Sequence, residues 1–381
     1  MQILGILAFI VALLFSVMIH EFGHYVTAKR FGMKVSEFFL GFGSRLWSRQ
    51  KGETEFGIKA IPAGGYCKIE GMTPGDVMPA GEEDRAFYKA SSGRKLIVLG
   101  AGSLLHFVLG YLLLFVLFAG VGTNQLLPVI AEVVKGSSAQ SAGIMVGDEI
   151  TSINGKAVTD WYVDVLAIRN SHGRELTLGI LRSGRALTIK ATPKLEVIEG
   201  KDRFILGIIN DIGQRRTGIP TSLKNAGLVS KEFLFESVKS LAKLPSKIPA
   251  LWGATVNGQE RDANGLVGVV GVARVSGQTL SSGDLSPMER LATFILIIAS
   301  LNIFVGLFNL LPILPLDGGH MAVAIADEIR AAIARLRGRP RPAPIDVTVL
   351  TPITMVVFVI LAALTLLLLV ADIVNPVILN L

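Results

Sequence analysis

The chain has 381 residues, 51% of them hydrophobic and only 18% charged, a balance that excludes an ordinary soluble domain and fits an integral membrane protein with some soluble mass. Its single cysteine, Cys67, excludes an intrachain disulfide, so any exported part must hold by packing alone. The net charge of +7 lies in the segments between apolar runs, without a basic tract interleaved with aromatics, which argues against a nucleic-acid partner.

Four apolar runs, roughly 3–27, 96–121, 291–316 and 349–371, are long enough to cross ~30 Å of hydrocarbon. The first lacks a positive leading region and a small-residue cleavage site before Lys29, so it reads as a retained span and not a signal peptide. It ends in "HEFGH". His20 and His24, at i and i+4, share one helical face and can bind one zinc, while Glu21 points aside and can take a proton from water. The alternative is an interfacial helix end that tolerates polar residues.

The next segment, 29–95, is dense in Lys and Arg. Positive-inside reasoning puts it in the cytoplasm, together with the arginine-rich stretch after the third run. Both termini and the long segment 122–288 then lie outside. Within 29–95, "MKVSEFFLGFG" and "ETEFGIKAIPAGGY" alternate apolar and polar residues and read as strands bounded by Gly and Pro. The second run contains "AGSLLHF", which places His106 in an apolar span.

The outer segment opens with short Val/Ile-rich strands around "SAGIMVGDEITSINGKAV" and resembles a PDZ domain over roughly 124–212. Gly143, Gly147 and Gly155 suit its turns. From Thr221 to Leu244 the spacing predicts an amphipathic helix that stops before Pro245. It could lie on the outer leaflet or pack on the PDZ-like unit. "GLVGVVGVARVSG" (265–277) reads as a Gly-rich loop. The third run ends in "LNIFVGLFNLLPILPLDGGH", where Pro312 and Pro315 break the helix. Asp317 is there either a helix-end cap or a ligand. Both the first and the third run pass from outside to inside, so Asp317 and the histidine pair reach similar depth, which favours the ligand.

"HEFGH" together with Asn309, Pro312 and Asp317-Gly318, in the pattern N-x-x-P-x-x-x-x-D-G, resembles the site-2 proteases, which are zinc intramembrane metalloproteases. The resemblance covers nearly the whole chain and is strongest to the actinobacterial enzymes of regulated intramembrane proteolysis. It implies that His20, His24 and Asp317 bind zinc, that Glu21 is the general base, and that Asn309 assists the substrate. It also implies that the strands of 29–95 dip into the membrane, where a free strand edge could accept an unwound substrate. One departure stands out. Family members commonly carry A-G-P-x-x-N in the second span, and here Ser103 and His106 replace the proline and asparagine. His106 is then either a neighbour of the site or a histidine packed between helices; His320 is at most a second-layer residue.

The expected architecture is a polytopic α-helical membrane protein with four transmembrane helices (1–28, 96–121, 288–318 and 349–373). A membrane-associated β-rich cytoplasmic segment (29–95) and one extracytoplasmic PDZ-like α+β domain (124–212) are added to these. An amphipathic helix with a Gly-rich connector (213–287) and a cytoplasmic basic loop (319–348) complete it. The resemblance implies a zinc metalloendopeptidase of the bacterial plasma membrane with its site near the cytoplasmic leaflet. Its partners would be the lipid bilayer and single-pass membrane substrates such as anti-sigma factors. A metal transporter using the same three ligands, or an inactive PDZ scaffold, are the other classes the sequence allows.

Overall fold

The computed structural model describes residues 2–159, 161–198, 201–261 and 265–377. The chain divides into two compact units, one of residues 1–121 with 217–381 and one of residues 122–216.

In the first unit, α1 (Gln2–Arg30) is a 29-residue helix that carries Lys29 and Arg30 in its last turn, where they complement the helix dipole. Gly32, at φ 77°, ends it. The Met33 N–H returns to the Ala28 carbonyl at 3.0 Å, the closing bond of a Schellman cap that favours glycine at this point. The chain then forms a long antiparallel hairpin of β1 (Val35–Lys51) and β2 (Thr54–Ile69). Both predicted strands are present, longer than the alternation suggested, and they fold over each other: residues 37–40 pair with 65–68 on one side and with 55–58 on the other, and 55–58 pair in turn with 47–50. Glu53, in the hairpin turn, accepts from both terminal nitrogens of Arg85 at 2.6 Å and pairs with Lys29. The Arg85 guanidinium holds the Glu53 carboxyl down to about 2.

Helix α2 (Ser92–Val116) runs on through one π turn to Val121. It crosses α1 where Gly23 lies against the Ala101 carbonyl, so close that a Cβ at 23 would sit 2.6 Å from that oxygen. Small residues of this kind set helix spacing inside membranes.

The second unit is an antiparallel sheet with short helical turns. Its elements are β3 (Thr123–Val133), α3 (Ser138–Ser141), β4 (Glu149–Ile153), β5 (Lys156–Ala157), α4 (Trp161–Asp164), α5 (Leu166–Arg169), β6 (Leu176–Arg182), β7 (Arg185–Ala191), β8 (Lys194–Ile198), β9 (Lys201–Ile205) and β10 (Ile208–Arg215). The strand order is β10-β3-β4-β6-β7, with β5 on β4 and β8–β9 as a separate ribbon. Alternating residues Ile130, Ile150, Leu178 and Ile180 fill the core with Trp161, Ile168 and Leu206. Gly143, Gly147 and Gly155 all have positive φ. Asp148, buried, is gripped by Arg182 through two 2.7 Å bonds, and that guanidinium lowers the Asp148 pKa.

The first unit resumes with α6 (Ile219–Val256), α7 (Val269–Ser281), α8 (Pro287–Asn309), α9 (Asp317–Leu336) and α10 (Thr351–Val374). Helix α8 opens with a capping box between Ser286 and Glu289, which satisfies two terminal N–H groups reciprocally. Among the described residues four helices, Gln2–Arg30, Ser92–Val121, Pro287–Asn309 and Val347–Val374, are long and apolar enough to cross a membrane.

Three expectations need correction. The amphipathic helix does not stop before Pro245; α6 runs through Pro245 and Pro249. Each proline lacks an N–H, but packing beyond them outweighs the lost bonds. Leu251, Gly253 and Ala254 are buried there, and Asn375 donates to the Ala254 carbonyl at 3.1 Å. The first half of α6 packs on α2 and α8 through Ala226, Val229 and Phe233. The Gly-rich stretch is a helix over most of its length, α7, and not a loop. Its glycines serve close packing, as Gly277 lies against the Gln2 carbonyl and Ile6 of α1. The stretch 319–348 is likewise helical as far as Leu336, since its alanine-rich sequence has high intrinsic helix propensity. Asp317 therefore opens a separate helix and does not end the third span.

Candidate metal centre and active site

The "HEFGH" segment sits in the last third of α1, where helical spacing turns His20 and His24 to one side. Pro312 and Pro315 interrupt the chain after α8, and the backbone folds back so that Asp317 starts α9 beside the two imidazoles. The three donor atoms form a nearly equilateral triangle. His20 Nε2 and His24 Nε2 are 3.1 Å apart, and Asp317 Oδ2 lies 3.2 Å from the first and 3.3 Å from the second. Among the described residues these three make up the one His/Cys/Asp/Glu cluster spaced to hold a metal.

The triangle can be tested against a metal. Tetrahedral zinc with bonds of roughly 2.0–2.1 Å requires donors roughly 3.3–3.4 Å apart. The observed edges meet that requirement, and two imidazoles with one carboxylate are a zinc donor set. Three protein ligands leave one position of four for water or substrate, the arrangement of a catalytic site and not a closed structural one. His24 Nδ1 lies 2.8 Å from the Val98 carbonyl of α2. Donation there places the proton on Nδ1 and leaves the Nε2 lone pair for the metal, the usual outer support of a metal histidine. His20 Nδ1 is buried without a hydrogen-bond partner.

Glu21 is half-buried and reaches the backbone N–H of Cys67 on β2. It stands beside the donor triangle without joining it, as a base would. The hairpin runs alongside α1 at this level, with Gly65 of β2 against Val17 and Met18. Residues 37–40 of β1 and 55–58 of β2 are each paired on both sides, so the unpaired edges of this sheet belong to residues 65–68 of β2 and 47–50 of β1.

His106 is buried on α2, its ring centroid 5.0 Å from that of His20. Its Nδ1 lies 2.8 Å from Asn302 Oδ1 on α8. Asn302 Nδ2 donates to Ser16 Oγ of α1 at 3.1 Å and to the Ile298 carbonyl at 2.8 Å. Asn302 Oδ1 is therefore the acceptor, His106 Nδ1 carries the proton, and the Nε2 of the neutral ring is left with its lone pair. Ser16 in turn donates to the Ala12 carbonyl at 2.9 Å. This polar string ties α1, α2 and α8 together beside the metal ligands. Asn302 carries it without having been singled out as a site residue, although an asparagine inside an apolar run is itself a signal.

Asn309 is the last residue of α8, half-buried, and its side chain makes no hydrogen bond among the described residues. His320 is outside the donor cluster. It lines a cleft with Met72, Phe87, Tyr88, Lys95 and Ile345. Gly102 was also missed as a functional position. A Cβ there would sit 2.5 Å from His20 Cε1 and 2.6 Å from His24 Nε2, so α2 backs directly onto the ligand rings.

The profile of peptidase family M50 matches residues 8–351. The chain is 34% identical to the zinc metalloprotease Rip1 of Mycobacterium tuberculosis, over 99% of both chains. It is 34% identical to Rip1 of Mycolicibacterium smegmatis over 98% of both. A putative zinc metalloprotease of Helicobacter pylori is 32% identical over 82% of this chain and 87% of its own.

Proposed function

Since the chain belongs to peptidase family M50, we propose that it is a zinc-dependent endopeptidase that cleaves peptide bonds within the transmembrane segments of single-pass membrane proteins. The observation that carries this reading is the donor triangle of His20, His24 and Asp317 with Glu21 beside it. When bound, zinc polarises the scissile carbonyl and lowers the pKa of water to about 7.

The residues then divide the work. His20, His24 and Asp317 hold the metal. Glu21 accepts the proton of the attacking water and returns it to the leaving amine. Asn309, with a free amide at the end of α8, donates to the substrate carbonyl oxygen as charge develops there. The Ser16–Asn302–His106 string keeps α2 and α8 in register with α1 and so holds the ligand rings still. The free edge of the hairpin pairs with an unwound stretch of substrate, whose amides in a helix would otherwise be occupied.

The basic segments between the first and second spans and between the third and fourth support a cytoplasmic placement for both. On that orientation the metal site lies near the cytoplasmic leaflet, and the termini face outward with residues 122–216. That unit reads as a PDZ-like domain. The substrate class that fits the family resemblance is a membrane-anchored regulator such as an anti-sigma factor.

Glu21→Gln tests the division of roles. The purified variant should retain zinc at the parent's level and cleave nothing, whereas Asp317→Ala should lose both metal and activity. Normal cleavage by Glu21→Gln would overturn the assignment of the base. Zinc flux through reconstituted vesicles without any cleavage would favour transport instead.

A further inference from the structure

Helix α9 begins in the metal centre and ends far from it. Twenty residues at ~1.5 Å per residue carry it about 30 Å from Asp317 to Leu336. One face packs inward through Ala324, Ala331 and Ala334. On the opposite side Ile325, Ile329, Ile333 and Leu336 recur at intervals of four, four and three and form a continuous apolar stripe. All four are exposed, from 43% at Ile333 to 88% at Leu336. Yet α9 is not one of the four helices apolar enough to cross a membrane.

Charge is arranged around this stripe. Arg330 is engaged with Asp327 at 3.2 Å and Arg341 with Glu328 at 3.0 Å. These contacts, with Ile345 N–H donating to Asp327 at 2.8 Å, pin the proline-rich return segment along the helix. Arg335, Arg337 and Arg339 are left over. They are exposed and have no ion pair among the described residues. Three guanidinium groups without an ion-pair partner, of which among the described residues only Arg335 has an acidic neighbour, Glu328, thus cluster at the end of an uncovered apolar stripe.

We propose that α9 is a membrane-surface helix whose apolar stripe lies among the lipid headgroups and whose Arg335, Arg337 and Arg339 bind the phosphates of anionic phospholipids. An amphipathic helix with this pairing of apolar face and basic residues binds the interface by buried apolar area and by attraction to anionic lipid together. Guanidinium forks match phosphate oxygens in geometry as well as charge. The same helix carries Asp317 as its first residue, so a lipid grip on its far end steadies the element that supplies a metal ligand. The inference rests on the chain being embedded in a bilayer. It does not depend on which leaflet faces the cytoplasm or on the identity of the metal.

The test uses the full chain with Cys67→Ser and an environment-sensitive fluorophore on Leu336→Cys. The protein is placed in nanodiscs of phosphatidylcholine alone or of phosphatidylcholine with phosphatidylglycerol, each doped with a nitroxide lipid as quencher. Quenching should be strong with phosphatidylglycerol, weaker without it, and reduced by added salt. Replacing Arg335, Arg337 and Arg339 together by Gln should abolish the lipid preference, about fivefold per arginine in the docked ratio. Equal quenching in both lipids would mean apolar contact without headgroup recognition and would overturn the proposal. So would a water-exposed fluorophore in both, or an unchanged lipid preference in the triple variant. If that variant does not fold, the salt titration of the parent decides the same point. No step of the readout uses proteolysis, so an inactive protein still gives the answer.

Discussion

At Gly102 a single methyl group would press directly on both imidazoles of the donor triangle. The Cβ of an alanine would lie 2.5 Å from His20 Cε1 and 2.6 Å from His24 Nε2. The backbone of α2 cannot retreat freely, because Val98, one turn earlier, holds the His24 ring and Gly23 abuts the adjacent Ala101. The two rings must rotate instead, and a donor triangle with edges near 3.2 Å does not survive that rotation. Gly102→Ala should weaken zinc binding by about 10–100-fold, the usual cost of disturbing the support of metal ligands. Zinc content after dialysis against a buffered chelator measures it, with circular dichroism to show that the helices persist; full zinc retention would show that the rings can accommodate the methyl. His20, Glu21, His24 and Asp317 stand out in the sequence, because polar groups of this kind in apolar runs are costly, and the fold brings the two imidazoles and the Asp317 carboxylate together. Gly102 does not stand out. A glycine in an apolar run signals close packing, but the sequence does not show what it packs against. Asn302 was visible as a polar residue, and only the fold shows that it faces His106 and Ser16.

Among the elements, α10 is joined to the start of α7 and to the segment before it by a buried carboxylate and its partners, which the sequence scatters over more than a hundred residues. Asp372, fully buried near the end of α10, accepts from Arg261 at 2.7 Å and from the Gly271 N–H of α7 at 2.7 Å. Arg261 also donates to the carbonyls of Leu266 and Asn375. The carboxylate therefore satisfies an open N–H at the start of α7 and neutralises a buried guanidinium at the same time. Removing one partner of such a pair leaves the other uncompensated, at a cost of about 3–5 kcal/mol. Asp372→Ala should lower the unfolding temperature of the detergent-solubilised protein clearly, and Asp372→Leu with Arg261→Met should recover much of the loss. A single variant as stable as the parent would show that the pair is hydrated and carries little. This contact explains why the Gly-rich stretch misled as a loop: its helix depends on a carboxylate supplied from a distant segment. The prolines of α6 misled in the same way, since local propensity stops the helix where tertiary packing continues it. The hairpin and the four apolar helices rest on local periodicity, and those were readable.

For the whole molecule, the metal site constrains how the chain is threaded. The histidine pair lies in the last third of α1, and Asp317 follows shortly after the end of α8. Their donor atoms meet within 3.3 Å, so the C-terminal ends of α1 and α8 lie at one depth. Four single crossings produce this result, because α1 and α8 then run in the same direction. On that proposed crossing count, the segments around Val77 and Ala343 are expected on one side of the membrane and the segment around Arg185 on the other. The lysines and arginines of 29–95 and the arginines from Arg330 to Arg341 are the basis for the proposed cytoplasmic placement of both segments, since such charge is preferentially retained on that side. With Cys67 replaced by Ser, Val77→Cys and Ala343→Cys should react with an impermeant maleimide only after cells are opened, and Arg185→Cys should react in intact cells. Val77 is 92% exposed, so failure to label it would not come from burial within the protein. Labelling of Val77→Cys and Ala343→Cys from opposite sides would break the crossing count, and with it the shared depth on which the metal site depends. Labelling of both from outside would reverse the orientation and leave the site chemically intact, since the donor triangle depends on parity alone.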